Sequence, residues 1–121
     1  MPITYNFSFH KDLTIRIISI NGILSDSFSF ENCNKKENLT IIVQVLYNNH
    51  NPIKNADVTI FGYGDVASNK TNERGITKLH LNIDSIWRKD TPEHYLSAVI
   101  TKGNHFKIID KAIEIIYSYG T

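Results

Sequence analysis

The sequence predicts an all-β protein, an antiparallel β-sandwich of about seven or eight strands in one domain spanning residues 1–121. Three observations support this prediction. Apolar and polar residues alternate with period two through most of the chain, turn residues separate these runs at short intervals, and no segment has strong helical periodicity. A length of 121 residues with 41% hydrophobic residues also suits a single domain that buries a core without cross-links.

The first part of the chain predicts three strands. Residues 3–9 alternate with their apolar side chains on one face, and residues 13–20 form a second apolar run. Asn21-Gly22 then predicts a tight hairpin, because this dipeptide adopts the positive φ angles that such turns need. Residues 23–30 are expected to return beside the second strand, with Asp26 marking a bulge or a sheet edge.

The centre of the chain alternates between loops and strands. Residues 31–38 are polar and predict a loop, and residues 39–47 are so uniformly apolar that they predict a central strand covered on both faces. Asn48 to Pro52 ends that strand, since asparagine tolerates turn dihedrals and Pro52 cannot donate a ladder hydrogen bond. Residues 56–61 predict the next strand, with alanine, valine and isoleucine on its inner face.

The remaining elements are predicted from the same signals. Residues 65–73 predict a loop, and Gly75 is expected to take a positive φ in the turn before a strand over residues 76–83. Residues 84–93 are irregular. The chain then predicts a hairpin, with strands on either side of a glycine turn at residues 102–104. Residues 108–119 fit a strand and also an amphipathic helix, and their β-branched side chains favour the strand.

Composition and charge exclude or disfavour several classes of protein. A net charge of +1 with no basic stretch disfavours nucleic-acid binding, and a single cysteine, Cys33, excludes an intramolecular disulfide. The first residues have no signal-peptide pattern, and no apolar run has the length of a membrane span, so a cytoplasmic location is the default expectation.

Catalytic and metal-binding motifs are not recognisable in the sequence. The five histidines have none of the spacings typical of zinc ligands, and no nucleophile or phosphate-loop motif is present. We therefore expect no catalytic residue, no metal ligand and no cofactor. The best binding candidates are Trp87 and Arg88 in the irregular segment, with Tyr63 adding aromatic surface, because aromatic and arginine side chains on loops are frequent interface anchors. The alternative for Trp87 is a plug over the end of the sandwich.

One stretch carries a resemblance to a known group of domains. Its features are a proline turn, an alternating Ala-x-Val-x-Ile strand, a Thr-Asn-x-x-Gly turn, and a later tyrosine and glycine turn. They fall at Asn51-Pro52-Ile53, Ala56 to Ile60, Thr71-Asn72, Gly75, Leu79, Leu81, Tyr95, Val99 and Gly103. In these positions the segment from Pro52 to Phe106 resembles carboxypeptidase-regulatory-like and related bacterial and archaeal immunoglobulin-like (prealbumin-like) domains. The resemblance implies an immunoglobulin-like or transthyretin-like sandwich that serves as a spacer, adhesion or interaction module.

A second resemblance concerns an enzyme. Thr71 to Gly75 and Tyr119-Gly120-Thr121 resemble parts of the transthyretin-like hydrolase that opens 5-hydroxyisourate, although the arginine expected after Tyr119 and the family's histidine runs are missing. Three functions therefore remain open. We favour a non-enzymatic module that binds a protein partner or associates with itself through edge strands, the Asp26 strand and the C-terminal strand being the expected edges. The alternatives are a carbohydrate-binding module around Trp87 and the small hydrolase.

Overall fold

The computed structural model describes residues 12–30, 36–84 and 94–117, and within them nine β-strands form two sheets that enclose one apolar core. The strands are β1 Leu13–Ile20, β2 Ser27–Phe30, β3 Lys36–Tyr47, β4 Asn51–Pro52, β5 Asp57–Gly62, β6 Asp65–Lys70, β7 Ile76–Asp84, β8 Tyr95–Lys102 and β9 His105–Tyr117. The predicted all-β class and two-sheet architecture are confirmed. The prediction of purely antiparallel pairing is wrong in one place, since β2 runs parallel to β9.

The smaller sheet contains four strands arranged around β3. One edge of β3 pairs with β1, and the other pairs first with β7 and then with the short β4. The predicted central position of this strand is confirmed. Its predicted burial on both faces is only partly correct: Leu39, Ile41 and Val43 are buried, whereas on the outer face Leu46 is buried and residues 40, 42 and 44 stay half-exposed.

The larger sheet contains five strands in the order β2-β9-β8-β5-β6. β8 and β9 form the predicted hairpin around Gly103, whose φ of 60° lies in the left-handed region. Residues 108–117 are therefore strand and not helix. The C-terminal strand is not the outermost strand of its sheet, because β2 lies beyond it. β2, which follows Asp26, does lie at an edge, as the sequence predicts.

The core lies between the two sheets and follows the period-two pattern. Val58 and Ile60 of β5 are fully buried, and Leu79, Leu81 and Ile83 of β7 are at most 2% exposed. Fully burying an aliphatic side chain of this size stabilises the fold by roughly 1.5–3 kcal/mol relative to leaving it in water. The inward faces predicted for both strands are confirmed.

Gly75 makes a close backbone contact that no other residue type would allow. Its φ is 74°, and a Cβ atom at this position would lie only 2.5 Å from the carbonyl oxygen of Val45. The carbonyl of Gly75 also accepts a hydrogen bond of 2.7 Å from the amide of Val45. The positive φ predicted for Gly75 is confirmed, and it holds the start of β7 against β3.

The turn at Asn21-Gly22 forms, but it does not produce the predicted hairpin. Asn21 and Gly22 have φ angles of 52° and 81°, and the Asn21 side chain accepts a hydrogen bond from the amide of Thr40 on β3. After this turn a single antiparallel bridge joins Ile20 and Ile23, and the chain then leaves the smaller sheet and pairs with β9 in the larger one. Leu24, in the connection between the two sheets, is 83% exposed.

Two loop predictions also need correction. Residues 65–70 were predicted to be a loop because they are polar, yet they form β6 at the edge of the larger sheet, where most side chains face solvent. Residues 36–38 belong to β3 and not to the preceding loop. The predictions for residues 3–9, 31–35, 85–93 and 118–119 lie outside the described residues.

Candidate functional site

The structure changes the interpretation of the predicted binding residues. Trp87 and Arg88 lie outside the described residues. Tyr63 lies in the turn between β5 and β6, flanked by two glycines with positive φ, and is only 1% exposed. Its ring centroid is 6.0 Å from that of Phe30, and its carbonyl accepts a hydrogen bond from the amide of Asp84. Tyr63 is therefore a core residue at the end of the sandwich, and its ring does not add to the exposed aromatic surface.

The acidic and histidine side chains of the described residues form no metal-binding cluster. No group of three or more His, Cys, Asp or Glu side chains is placed to hold a metal ion among residues 12–30, 36–84 and 94–117. His80 lies 3.2 Å from the Thr40 hydroxyl across the smaller sheet, which is a surface contact on the outer face.

A half-open cleft of about 460 Å³ lies where the chain passes from one sheet to the other. Its walls include the end of β1 at Ile20, the ring of Phe28 on β2, and the carboxylate side chain of Glu37 on β3. Ile23 and Leu24 beside it are 68% and 83% exposed. The Ser25 hydroxyl hydrogen-bonds the backbone amide of Ser27, so the edge of β2 is partly capped from within.

The outer face of the five-stranded sheet carries the most extensive set of exposed apolar side chains. Phe61 on β5 lies directly opposite Val66 on β6, and Val99 on β8 lies directly opposite Ile108 on β9. Exposed fractions are 61% for Val66, 55% for Ile108 and 39% for Phe61. Phe61 and Val99 are diagonal neighbours across β5 and β8, a separation that an aromatic side chain can bridge.

Phe106 extends this row of side chains at the start of β9, where it is 68% exposed. We call the set of Phe61, Val66, Val99, Ile108 and Phe106 the apolar band. It crosses four of the five strands, from β6 to β9, on the face turned away from the core. An exposed apolar surface that spans several strands is typical of a contact surface rather than of scattered surface residues.

Polar groups border the apolar band on both sides. The Lys70 ammonium lies 2.8 Å from the Asp57 carboxylate at one end of β5 and β6, and the Thr59 and Ser68 hydroxyls are 2.7 Å apart between this ion pair and the band. On the other side the Lys111 ammonium lies 5.6 Å from the ring centroid of Tyr95. An apolar centre with a polar rim is the usual anatomy of a protein–protein interface.

Sequence reasoning missed the apolar band, although part of its signal was present. Phe61 follows Asp57 and Thr59 with period two, so alternation alone places it on the outward face. Phe106 and Ile108 likewise alternate with the inward-facing Ile109 and Ile113. Val66 had no such signal, because its strand was predicted to be a loop.

The fold and this surface together define a two-sheet β-sandwich with an exposed apolar face. The chain matches no protein-family model, no curated protein and no solved structure. Within the described ranges, no helix is long and apolar enough to cross a membrane.

Proposed function

We propose that this protein is a non-enzymatic β-sandwich interaction module that binds a protein partner through the apolar band. The observation that carries this proposal is the exposure of Phe61, Val66, Phe106 and Ile108 on one face of one sheet. Leaving such side chains in water costs free energy that burial against a partner recovers, at about 25 cal/mol per Å² of apolar surface. The polar rim would orient the partner.

We further propose that the strand arrangement is immunoglobulin-like. In support, β1, β3 and β7 form one sheet, while β5, β8 and β9 form the centre of the other. The chain switches sheets between β1 and β2, and β2 adds in parallel to the last strand. In immunoglobulin-like sandwiches the first, second and fifth strands share a sheet opposite the third, sixth and seventh, which suits this order when the short β2 and β4 are counted as additions and β6, in the larger sheet, as the fourth strand.

The test compares proteins captured by the immobilised chain and by the double variant Phe61→Ser, Val66→Ser, with quantification by mass spectrometry. The matched control is Leu24→Ser, which also removes an exposed apolar side chain but lies away from the apolar band. We expect a partner that the wild type and the control retain and the double variant loses. Titration of that purified partner should show binding at least about tenfold weaker for the double variant, about 1.4 kcal/mol. Equal capture by all three proteins would contradict the proposal.

The two alternative functions are not favoured by a specific observation. The carbohydrate-binding alternative depends on Trp87, which lies outside the described residues, and therefore stays a prediction. The hydrolase alternative requires polarising and proton-transfer groups that converge on one cleft. The cleft beside β2 offers a carboxylate at Glu37 and serine hydroxyls, without a histidine among the described residues that line it.

A further inference from the structure

Within residues 12–30, 36–84 and 94–117, one edge of β9 is unpaired along most of its length. β8 pairs with β9 along one edge from His105 to Glu114, but β2 covers the opposite edge only from Glu114 to Tyr117. From residue 105 to residue 113 no strand of the described chain is paired with that second edge. An unpaired strand edge displays backbone donors and acceptors that another strand can satisfy.

The hairpin register identifies the residues whose backbone groups face this open edge. Lys102 and His105 flank a loop of two residues and therefore form a hydrogen-bonded pair, and every second pair after them does the same. The residues between, Phe106 and Ile108, must then direct their N–H and C=O groups away from β8. These are the same residues whose side chains are 68% and 55% exposed on the outer face.

We infer that a second copy of this chain pairs antiparallel with this edge, about a two-fold axis that passes through Lys107 perpendicular to the sheet. In this register Phe106 of each copy lies opposite Ile108 of the other, and both residues exchange backbone hydrogen bonds with the opposite strand. The result is one continuous sheet made from the larger sheets of both copies. The inference rests on the proposed function, because Phe106 and Ile108 form one end of the apolar band.

Side-chain chemistry selects this register over its neighbours, since an axis at Phe106 would place Ile108 opposite the polar Asn104 of the hairpin turn. An axis at Ile108 would place Phe106 opposite Asp110, and an axis at Ile109 would place Lys107 opposite Lys111. The axis at Lys107 instead pairs apolar residues with apolar residues at both outward positions, which is the favourable cross-strand combination. The two Lys107 side chains meet at the axis, but each ammonium already lies 2.9 Å from the Asp12 carboxylate of its own chain.

The open edge also leaves room for this pairing. With the axis at Lys107, the second strand begins at its own His105 opposite Ile109, and its hairpin loop lies beyond that point. β2 is paired only from Glu114 onward, so it does not occupy the positions that the second strand needs. Symmetric pairing of identical surfaces is the usual way in which homodimers close.

The test measures mass by sedimentation equilibrium across a wide concentration range for the wild type and three variants. Phe106→Lys alone and Ile108→Glu alone should each weaken dimerisation at least about tenfold, since each places a charge opposite an apolar residue. The double variant with both substitutions should recover much of the lost affinity, because each new ammonium then lies opposite a new carboxylate in the other copy. This recovery depends on the register.

Several outcomes would overturn the inference. These are a monomeric wild type at every concentration, single variants that dimerise like the wild type, and a double variant that is no better than either single variant. The variant Phe61→Ser, Val66→Ser separates the two proposals, because it removes the far end of the apolar band and should leave edge pairing intact. If that variant abolishes the dimer while the β9 variants keep it, face-to-face packing replaces edge pairing and only the proposed function survives.

Discussion

The two sides of the sandwich differ in how the backbone groups at their strand edges are satisfied. On one side the edges of β6 and β7 are joined by side chains: the Asn69 amide donates a hydrogen bond of 2.9 Å to the carbonyl of Lys78, and the Asp65 carboxylate accepts one of 2.7 Å from the amide of Asn82. Backbone groups at the edge of β7 are thereby satisfied without a further strand. We call this the closed side.

The other side, formed by β1 and β9, has a different arrangement. The ion pair of Lys107 with Asp12 at 2.9 Å connects β9 to the start of β1 through side chains alone, and it leaves the backbone groups of Phe106 and Ile108 facing outward. We call this the open side. Natural sheets commonly protect their edges against further strand pairing. Among the described residues, the capped groups of β7 and the outward-facing groups of Phe106 and Ile108 therefore make the open side more available for strand pairing than the closed side.

The largest stability effect is expected from the buried anchor of the closed side. Thr71, which follows β6, is 3% exposed; its hydroxyl donates to the carbonyl of Ile53 at 2.5 Å and accepts from the amide of Ala56 at 2.9 Å. Thr71→Val removes the hydroxyl that bonds the Ile53 carbonyl and the Ala56 amide. This change should lower the free energy of unfolding by about 1–3 kcal/mol. Urea denaturation measures this. Thr59→Val, which removes an exposed hydroxyl pair with Ser68, should change it by less than about 0.5 kcal/mol. Equal losses of unfolding free energy in the two variants would contradict the role of Thr71 as a buried anchor.

A smaller effect is expected from opening the closed side. Asp65→Ala removes the acceptor for the Asn82 amide and should cost about 0.5–1.5 kcal/mol, because water can replace part of the lost hydrogen bond at this exposed position. The amide of Asn82 should exchange its hydrogen faster in this variant. Asp57→Ala is the control, since its carboxylate meets only the Lys70 side chain in an exposed ion pair. Unchanged exchange at Asn82 would mean that Asp65 does not cap β7.

The smallest effect is expected on the open side. Asp12→Asn weakens the contact with Lys107. The Asp12 side chain is 54% exposed and the Lys107 side chain is 41% exposed. An exposed ion pair contributes about 0–1 kcal/mol, so the free energy of unfolding should change by no more than that, and the difference should shrink at high salt. Thermal unfolding at low and high ionic strength measures it. A loss larger than that of Asp65→Ala would show that the open side is more strongly held than the closed side.

Local patterns in the sequence predicted much of the fold. Alternation placed Val58 and Ile60 on the inner face of their strand, and the turn at Gly75 was predicted from its need for a positive φ. The same approach failed for β6. Its residues satisfy backbone groups on the edges of β5 and β7 and bury little apolar surface, so they carry no alternation that could mark them as a strand.

The candidate surface was less predictable than the core. Tyr63 was predicted to add aromatic surface to a binding site, yet the turn between β5 and β6 places its ring in the core near Phe30. Phe61, by contrast, could be placed on the outer face from alternation, but that position does not reveal which neighbours share the face. Val66 joins it only because β6 pairs with β5.

The amino-acid sequence by itself determined the all-β class, the inner face of most strands and several of the turns, because each depends on residues close together in the chain. Only the tertiary structure decided how the strands divide between two sheets, why Asn21-Gly22 leads to the second sheet, and which edges remain open. These features depend on pairings between residues that are far apart in sequence, such as Ser27 with Glu114. Side-chain alternation has the same period whichever strand becomes the neighbour, so it carries no information about that choice.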